Sequence, residues 1–381
     1  MSYLFPTYTK KEIQLTQGKG SNVYSQDGTR YLDFMSGIAV TNLGHGHPAI
    51  VQALHKQADL LWHGSNLFHY EIQEQAAKML VEKSVCDAVF FCNSGAEANE
   101  AAIKLARKAS GKSHIITMNQ SFHGRTLGSM AATGQEAVHQ GYGPMLDSFT
   151  YVPFNDSEAL EAAIQPETAA IMIEVVQGEG GVNILSDQFA STIMKLKKEK
   201  DLLIIIDEIQ TGIGRTGTFF AYEHYQLDPD VITVAKGLGN GFPVGAMLGK
   251  SNLVEHFQAG AHGSTFGGNP LAMAVVKAVL ETMSQPQFLQ EVKNKADRFT
   301  DTLRQELLAC STVKDIRGSG FLIGIETTVL AQEVIHKCEK KGLLLLPAGK
   351  HVTRLLPSLL IEEQEWNEAV SMLKAALVEV S

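Results

Sequence analysis

Two charged residues in this chain directly follow runs of apolar residues that read as buried. Leu202-Leu203-Ile204-Ile205-Ile206 ends on Asp207-Glu208, and Val231-Ile232-Thr233-Val234-Ala235 ends on Lys236 before a glycine-rich turn. Short β-branched runs bounded by turn residues predict strands buried on both faces, and so a parallel sheet. Ligands of such sheets lie beyond the carboxyl ends of the strands. The spacing therefore predicts an acid and an amine facing one crevice. A lone lysine at a strand end is ordinarily a surface residue. A lysine that forms an imine must instead be deprotonated to attack a carbonyl, and needs a desolvated, positively biased pocket. Asp207 favours the second reading, because a buried carboxylate needs a cation and a protonated ring nitrogen supplies one.

Other segments bring further candidates toward the same crevice. Asp87 to Cys92 reads as a strand that turns through Asn93-Ser94-Gly95 into a long helix. Ser94 can cap that helix, with Glu97 three residues on as in a capping box. Free amide groups and the helix dipole would make this an anion site, although an ordinary capped helix reads the same way. A strand over 113–118 is followed by Gln120-Ser121-Phe122-His123-Gly124-Arg125-Thr126. Taken alone, Phe122 is a core residue, whereas the planar fork of Arg125 suits a carboxylate. Ala169 to Val176 reads as one buried strand running into Gln177-Gly178-Glu179-Gly180-Gly181. No Lys-[Ser/Thr] follows, which excludes a P-loop, and Gly237-Leu238-Gly239-Asn240-Gly241 misses the dinucleotide spacing. Arg317 to Glu326 reads as a turn and a strand. Within Val352 to Leu359, Arg354 stands alone among apolar residues and needs an acidic partner, either as an internal ion pair or as an exchangeable one.

The apolar strand, Asp207-Glu208-Ile209-Gln210, Gly212-Ile213-Gly214-Arg215-Thr216-Gly217 and Ala235-Lys236-Gly237-Leu238 together resemble the signature of the class III (subgroup II) aminotransferases, which depend on pyridoxal 5'-phosphate (PLP). The likeness extends over essentially the full length. It implies an α/β protein of PLP-dependent transferase fold type I. A large domain would carry a mixed, mostly parallel seven-stranded sheet flanked by helices, and a smaller α+β domain would form from the two chain ends. The expected division is 1–45 for an N-terminal segment packing with the small domain, 46–284 for the PLP-binding domain and 285–381 for the small domain, with the boundary at Ser284 to Pro286.

By the same resemblance Lys236 carries PLP, Asp207 pairs with the pyridine nitrogen, Phe122 stacks on the ring and Gln210 bonds the phenolic oxygen. Gly95 and Ala96 form the phosphate cup, and Thr265 reaches the phosphate of a neighbouring subunit, with Ser264 near the substrate. That arrangement implies a homodimer with shared active sites. Arg125 takes the carboxylate of the amine donor. Arg354 binds the α-carboxylate of glutamate or 2-oxoglutarate and otherwise pairs with Glu179, which acts as a gate. The stretch Ser36 to Pro48, with His63-Gly64-Ser65-Asn66-Leu67, looks like the acetylornithine branch of the family. That branch moves the δ-amine of N-acetylornithine to 2-oxoglutarate. Competing expectations are donors such as ornithine, 4-aminobutyrate or succinyldiaminopimelate, a PLP aminomutase that forms no glutamate, and a non-catalytic binding relative. The joint presence of Lys236, Asp207, Phe122 and Arg125 argues against the last.

Composition agrees with this reading. At 381 residues and 44% hydrophobic content the chain can bury a large core in two or three domains. A net charge of −9 with both signs interspersed argues against a nucleic-acid binder. No apolar run is long enough to cross a bilayer, and the N-terminus lacks the pattern of a signal peptide, so a cytoplasmic location is expected. Cys86, Cys92, Cys310 and Cys338 form no C-x-x-C and read as reduced thiols. His45 and His47 lack Cys or carboxylate partners in sequence, so no metal is assigned. Val23 to Leu32 reads as a hairpin around Asp27-Gly28, Pro48 as the start of a helix running to Ala58, and Ile72 to Leu80 as helical.

Overall fold

The computed structural model describes residues 3–380. It opens with an antiparallel meander of β1 (Leu15–Lys19), β2 (Asn22–Ser25) and β3 (Arg30–Asp33). Val23 pairs with Tyr31 as the hairpin pattern requires, and Gly28 takes the positive φ of +84° that its turn demands. Helices follow over Pro48–Ala58, with proline at its first position, and Glu71–Val81.

The next strands are β4 (Ala88–Cys92), β5 (His114–Met118), β6 (Phe149–Val152), β7 (Thr168–Ile173), β8 (Val176–Gln177), β9 (Asn183–Ile184), β10 (Leu203–Asp207), β11 (Val231–Val234) and β12 (Gly245–Gly249). Seven of them form one sheet in the order β4-β12-β11-β10-β7-β5-β6. Neighbours from β11 to β6 run parallel, while β12 is antiparallel to both β11 and β4. The mixed, mostly parallel sheet is thus as expected. Every residue of β5, β7, β11 and β12 is buried. That is why these strands read as mostly apolar runs rather than alternating ones.

Helices Pro270–Met283 and Phe288–Leu307 lead to β13 (Val313–Ser319), β14 (Leu322–Thr327), β15 (Leu343–Leu344), β16 (Leu346–Pro347) and β17 (Val352–Leu355). A four-stranded antiparallel sheet has the order β13-β14-β17-β16. β15 joins β3 in parallel, with Leu343 opposite Leu32, so the two ends of the chain share one sheet. The last helix, Glu363–Glu379, begins with a capping box from Glu362 and Glu365.

Three local expectations change. The strand expected over Ala169 to Val176 ends at Ile173, and β8 pairs with β9 in a separate ribbon. Glu174 turns out of the sheet because its carboxylate accepts the Phe122 N–H. Arg317 lies within β13 rather than in a turn, the reversal falling instead at Gly320, whose φ is +57°. Finally, Ser94 caps Gly95–Ser110 by accepting the Glu97 N–H, but the Glu97 carboxylate reaches back one residue further than a capping box, to the Asn93 N–H.

Candidate active site

In-register pairing sets Ile206 beside both Ile173 and Ile232. Asp207, the last residue of β10, and Glu174, the first past β7, therefore lie side by side at the strand ends, and Lys236 follows two residues after β11. All three line one cavity of about 400 Å³, a size that accommodates a cofactor with a small ligand. Lys236 holds φ at +45°, which a non-glycine residue adopts only at a cost of about 1–3 kcal/mol when its surroundings enforce it. Gly237 is part of that enforcement: a Cβ there would lie 2.4 Å from Asn42 Nδ2.

The charges are arranged around the lysine. Burial pushes its amine below the ordinary lysine range, and Arg354 adds to the effect against the opposing pull of Glu179, Asp207 and Glu174. Asp207 is buried and tightly held. Its Oδ2 accepts the Asn99 Nδ2–H at 2.8 Å and lies 2.7 Å from His123 Nδ1, while its Oδ1 accepts the Ile209 N–H at 3.0 Å. Asn99 is fixed in turn by donating to the His123 carbonyl and accepting the Thr233 hydroxyl, both at 2.7 Å. Beside it, burial and the Asp207 charge push the Glu174 carboxyl well above the usual carboxylate range.

On the opposite wall Arg354, 1% exposed, donates from Nη1 to Glu179 Oε1 at 2.7 Å and to Gln210 Oε1 at 2.8 Å. Burial works against the Glu179 charge, but the charge and hydrogen bond of Arg354 outweigh it and leave the carboxyl below its usual range. Phe122 faces the cavity with the Arg125 guanidinium 5.7 Å from its ring centroid, and Arg125 has no ion pair among the described residues. Gly95 and Ala96 open the helix Gly95–Ser110 at the cavity wall. A Cβ on Gly95 would lie 2.8 Å from Ile209 Cδ1, so a side chain there would push into the segment that carries Asp207.

These residues fit PLP. A buried carboxylate with no lysine or arginine paired to it suits a protonated pyridine nitrogen. A lysine whose neutral amine is favoured suits a carbonyl, and a helix N-terminus with a small residue suits a phosphate.

Of the expected site residues, Gly95, Ala96, Phe122, Arg125, Glu179, Asp207, Gln210 and Lys236 line the cavity, and Arg354 reaches it through Glu179 and Gln210. Ser264 and Thr265 do not line it. Ser264 accepts from Asn93 Nδ2–H at 3.1 Å, and Thr265 is exposed. Sequence reasoning passed over Asn99, His123 and Glu174. Asn99 was signalled by its place on the apolar helix face of Gly95, Ala96, Ala102, Ile103 and Ala106, where a polar residue has no reason to be unless it has a partner. Glu174 was signalled as an acid inside an apolar run.

The aminotransferase class-III family profile matches residues 5–377. The acetylornithine aminotransferase of Halalkalibacterium halodurans is 57% identical over 381 residues, covering all of this chain and 99% of that protein. The ornithine aminotransferase of Toxoplasma gondii ME49 superposes with a TM-score of 0.95 at 32% identity, covering 99% of this chain and 93% of the other. The N-acetylornithine aminotransferase of Stenotrophomonas maltophilia superposes with a TM-score of 0.84 at 35% identity, over 98% and 97%. With a strand-end lysine, a strand-end aspartate and a full-length match to the family, this chain belongs to the class-III aminotransferases.

Proposed function

We propose that this aminotransferase moves the δ-amine of N2-acetyl-L-ornithine to 2-oxoglutarate, giving N-acetyl-L-glutamate 5-semialdehyde and L-glutamate, a step of arginine biosynthesis. The observation that carries the reading is the pair of arginines of unlike state. Arg125 is exposed on the cavity wall with no ion pair among the described residues, whereas Arg354 is buried and already neutralised by Glu179. The two donors differ in the same sense, since one must present a terminal amine and the other an α-amine. The 57% identical relative is named for this substrate, which supports the choice over ornithine.

The cofactor is PLP. When bound, it supplies an electron sink for the pair left on the amine-bearing carbon after deprotonation. The residues of this chain do the rest. Lys236, whose amine burial holds below the ordinary lysine range, would hold the cofactor through its carbonyl, and the same amine is the base that would take the proton from Cδ of N-acetylornithine. Asp207, locked by Asn99, His123 and Ile209 N–H, presents a fixed negative charge to a protonated ring nitrogen. Phe122 offers an apolar face for stacking. Arg125 fork-binds the carboxylate of N-acetylornithine, and Glu179 masks Arg354 meanwhile. Glutamate or 2-oxoglutarate displaces Glu179 and takes Arg354 through its α-carboxylate. Gln210, hydrogen-bonded to both partners, steadies the exchange and also serves the cofactor's phenolic oxygen.

The partner we propose is a second copy of the chain. The segments 60–68 and 263–268 are joined by hydrogen bonds from Asn66 to the Ser264 and Gly267 carbonyls and by His63 against Phe266 at 5.2 Å. They expose Trp62, Leu67, Phe68 and Phe266 at 61, 89, 66 and 59%. So much apolar surface in one patch calls for a cover. A second copy seated there would bring Thr265 and Ser264 to the neighbour's site. The division at 45 and 284 is retained as a proposal, supported by the β3–β15 pairing of the chain ends. No helix among the described residues is long and apolar enough to cross a membrane. All four cysteines are free, and burial pushes Cys86, Cys92 and Cys338 up to about 12, which keeps these thiols protonated and unreactive.

The test is donor selectivity. Cofactor-loaded protein given N-acetylornithine, ornithine or 4-aminobutyrate should transfer the amine from N-acetylornithine with the highest kcat/KM. A higher value for either of the others would replace the substrate.

A further inference from the structure

Glu179 is carried by a loop whose shape is fixed from outside the cavity. The loop joins β8 to β9, and the sheet β13-β14-β17-β16 grips it at two points. At the first, the Gly181 carbonyl accepts two hydrogen bonds from Arg317 on β13, from Nε at 3.1 Å and from Nη2 at 2.8 Å. The remaining nitrogen, Nη1, is anchored by Glu326 Oε2 at 2.6 Å and Asp315 Oδ2 at 3.0 Å. At the second, Val182 is fully buried with φ at +54°, a conformation that a β-branched side chain adopts only when its neighbours enforce it. Gly324 of β14 is the seat: a Cβ there would lie 2.9 Å from Val182 Cβ. Gly324 in turn pairs with Arg354 of β17. The gate acid and its arginine are thus referred to one sheet, Arg354 by growing from it and Glu179 by being held against it.

Arg317 does not line the active-site cavity. It borders a separate groove with Asn119, Gln120 and Asn183. Its guanidinium touches the gate loop directly, at the Gly181 carbonyl, while its backbone is linked to Arg354 through Gly324, and the double variant below separates the two routes. We infer that Arg317, by gripping the Gly181 carbonyl, is a positioning residue for the Glu179 gate, and so helps to determine which of the two amine donors the site prefers. This rests on the gate reading of Glu179 and Arg354 given above. Uncovering Arg354 requires Glu179 to move, and Glu179 lies two residues from the gripped carbonyl. The grip adds weight to the masked arrangement. Without it Arg354 is uncovered more often, so glutamate gains as a donor and N-acetylornithine loses.

The experiment uses the cofactor-loaded enzyme as wild type, Arg317→Gln, Glu179→Ala and the double variant. Each half-reaction is followed in a single turnover through the visible absorbance of the bound cofactor, with N-acetylornithine alone or glutamate alone. Arg317→Gln should shift the ratio of the two second-order rate constants toward glutamate by about fivefold or more, in the direction of Glu179→Ala. In the Glu179→Ala background the same substitution should leave the ratio within about twofold, because the gate it positions is gone. A ratio unmoved by Arg317→Gln but moved by Glu179→Ala overturns the inference and leaves the gate standing. Equal shifts in both backgrounds overturn it too, since Arg317 would then act elsewhere. A ratio unmoved by Glu179→Ala removes the gate, and this inference with it. If Arg317→Gln does not fold, Glu326→Ala decides: it withdraws the 2.6 Å anchor and should give a smaller shift toward glutamate, and a wild-type ratio there overturns the inference.

Discussion

Replacing Asp207 by asparagine preserves the shape of the side chain and removes its charge, and the surroundings determine the cost. Oδ2 receives the Asn99 amide and faces His123 Nδ1, and Oδ1 receives the Ile209 N–H. An amide has a single acceptor oxygen. Placed toward Asn99 and His123, it turns its NH2 against the Ile209 N–H; reversed, its NH2 meets the Asn99 donor. Asn99 cannot flip to compensate, because its two ends hold the His123 carbonyl and the Thr233 hydroxyl. One buried donor left unpaired costs about 1–3 kcal/mol. Urea unfolding of the cofactor-free variant should register that loss.

With cofactor present the effect is larger. An amide cannot hold the proton on the ring nitrogen, and a charge-assisted bond of about 1.5–3 kcal/mol is lost. This corresponds to roughly 10- to 150-fold weaker PLP binding. The half-reaction should slow by a further 10²–10³ or so, the usual size when a preorganised electrostatic partner is withdrawn. Equilibrium titration with PLP and single-turnover rates at saturating N-acetylornithine measure the two effects separately. An Asp207→Asn variant that binds PLP and turns over within about threefold of wild type would refute the role assigned to Asp207.

Glu179→Ala should favour glutamate over N-acetylornithine by roughly 30-fold in relative half-reaction rate, the equivalent of about 2 kcal/mol for a half-buried pair whose arginine keeps Gln210; an unchanged ratio would contradict the gate. Glu208 is fully buried, accepting from the Thr211 hydroxyl and the Tyr222 N–H, and burial raises its carboxyl from 4.5 to about 7. Because the native state keeps that proton longer than the unfolded chain, stability should fall by about 3 kcal/mol as pH rises from ~4.5 to ~7. Glu208→Gln should lack that fall, and parallel stability–pH curves for the two proteins would count against it. Gly178→Ala would set a Cβ 1.9 Å from Gln210 Oε1. Displacing Gln210 should destabilise the fold by about 1–3 kcal/mol and raise the KM for 2-oxoglutarate, while a neutral substitution would mean that the loop has slack.

The sheet and its strand-end chemistry were legible in the sequence because buried parallel strands leave mostly apolar runs, and a charge at the end of such a run is conspicuous. Lys236 and Asp207 announced themselves in that way. The same rule misled at Glu174, where the apolar run resumes after the acid and the strand seemed to continue through it. Only the Phe122 N–H, distant in sequence, explains why the chain turns there. Asn99 and His123 act by holding Asp207; Asn99 shows only as a polar break in an apolar helix face, and His123 leaves no local periodicity at all. Arg215 is comparable: wholly buried and brought down to about 9 by burial, it binds the Phe321 and Pro357 carbonyls and Asn42, three segments far apart in sequence. Thr265 and Ser264 came from family likeness alone, and their expected role belongs to a neighbouring copy.

The most direct measurement is an absorption spectrum of the PLP-loaded enzyme, taken before and after N-acetylornithine is added without any 2-oxo acid. The account predicts that the yellow band disappears in favour of the aminated cofactor's near-ultraviolet band, and that 2-oxoglutarate restores it with release of glutamate. A yellow enzyme that ignores N-acetylornithine and bleaches with ornithine or 4-aminobutyrate would contradict the proposed substrate, and a protein that takes up no PLP would contradict the site itself.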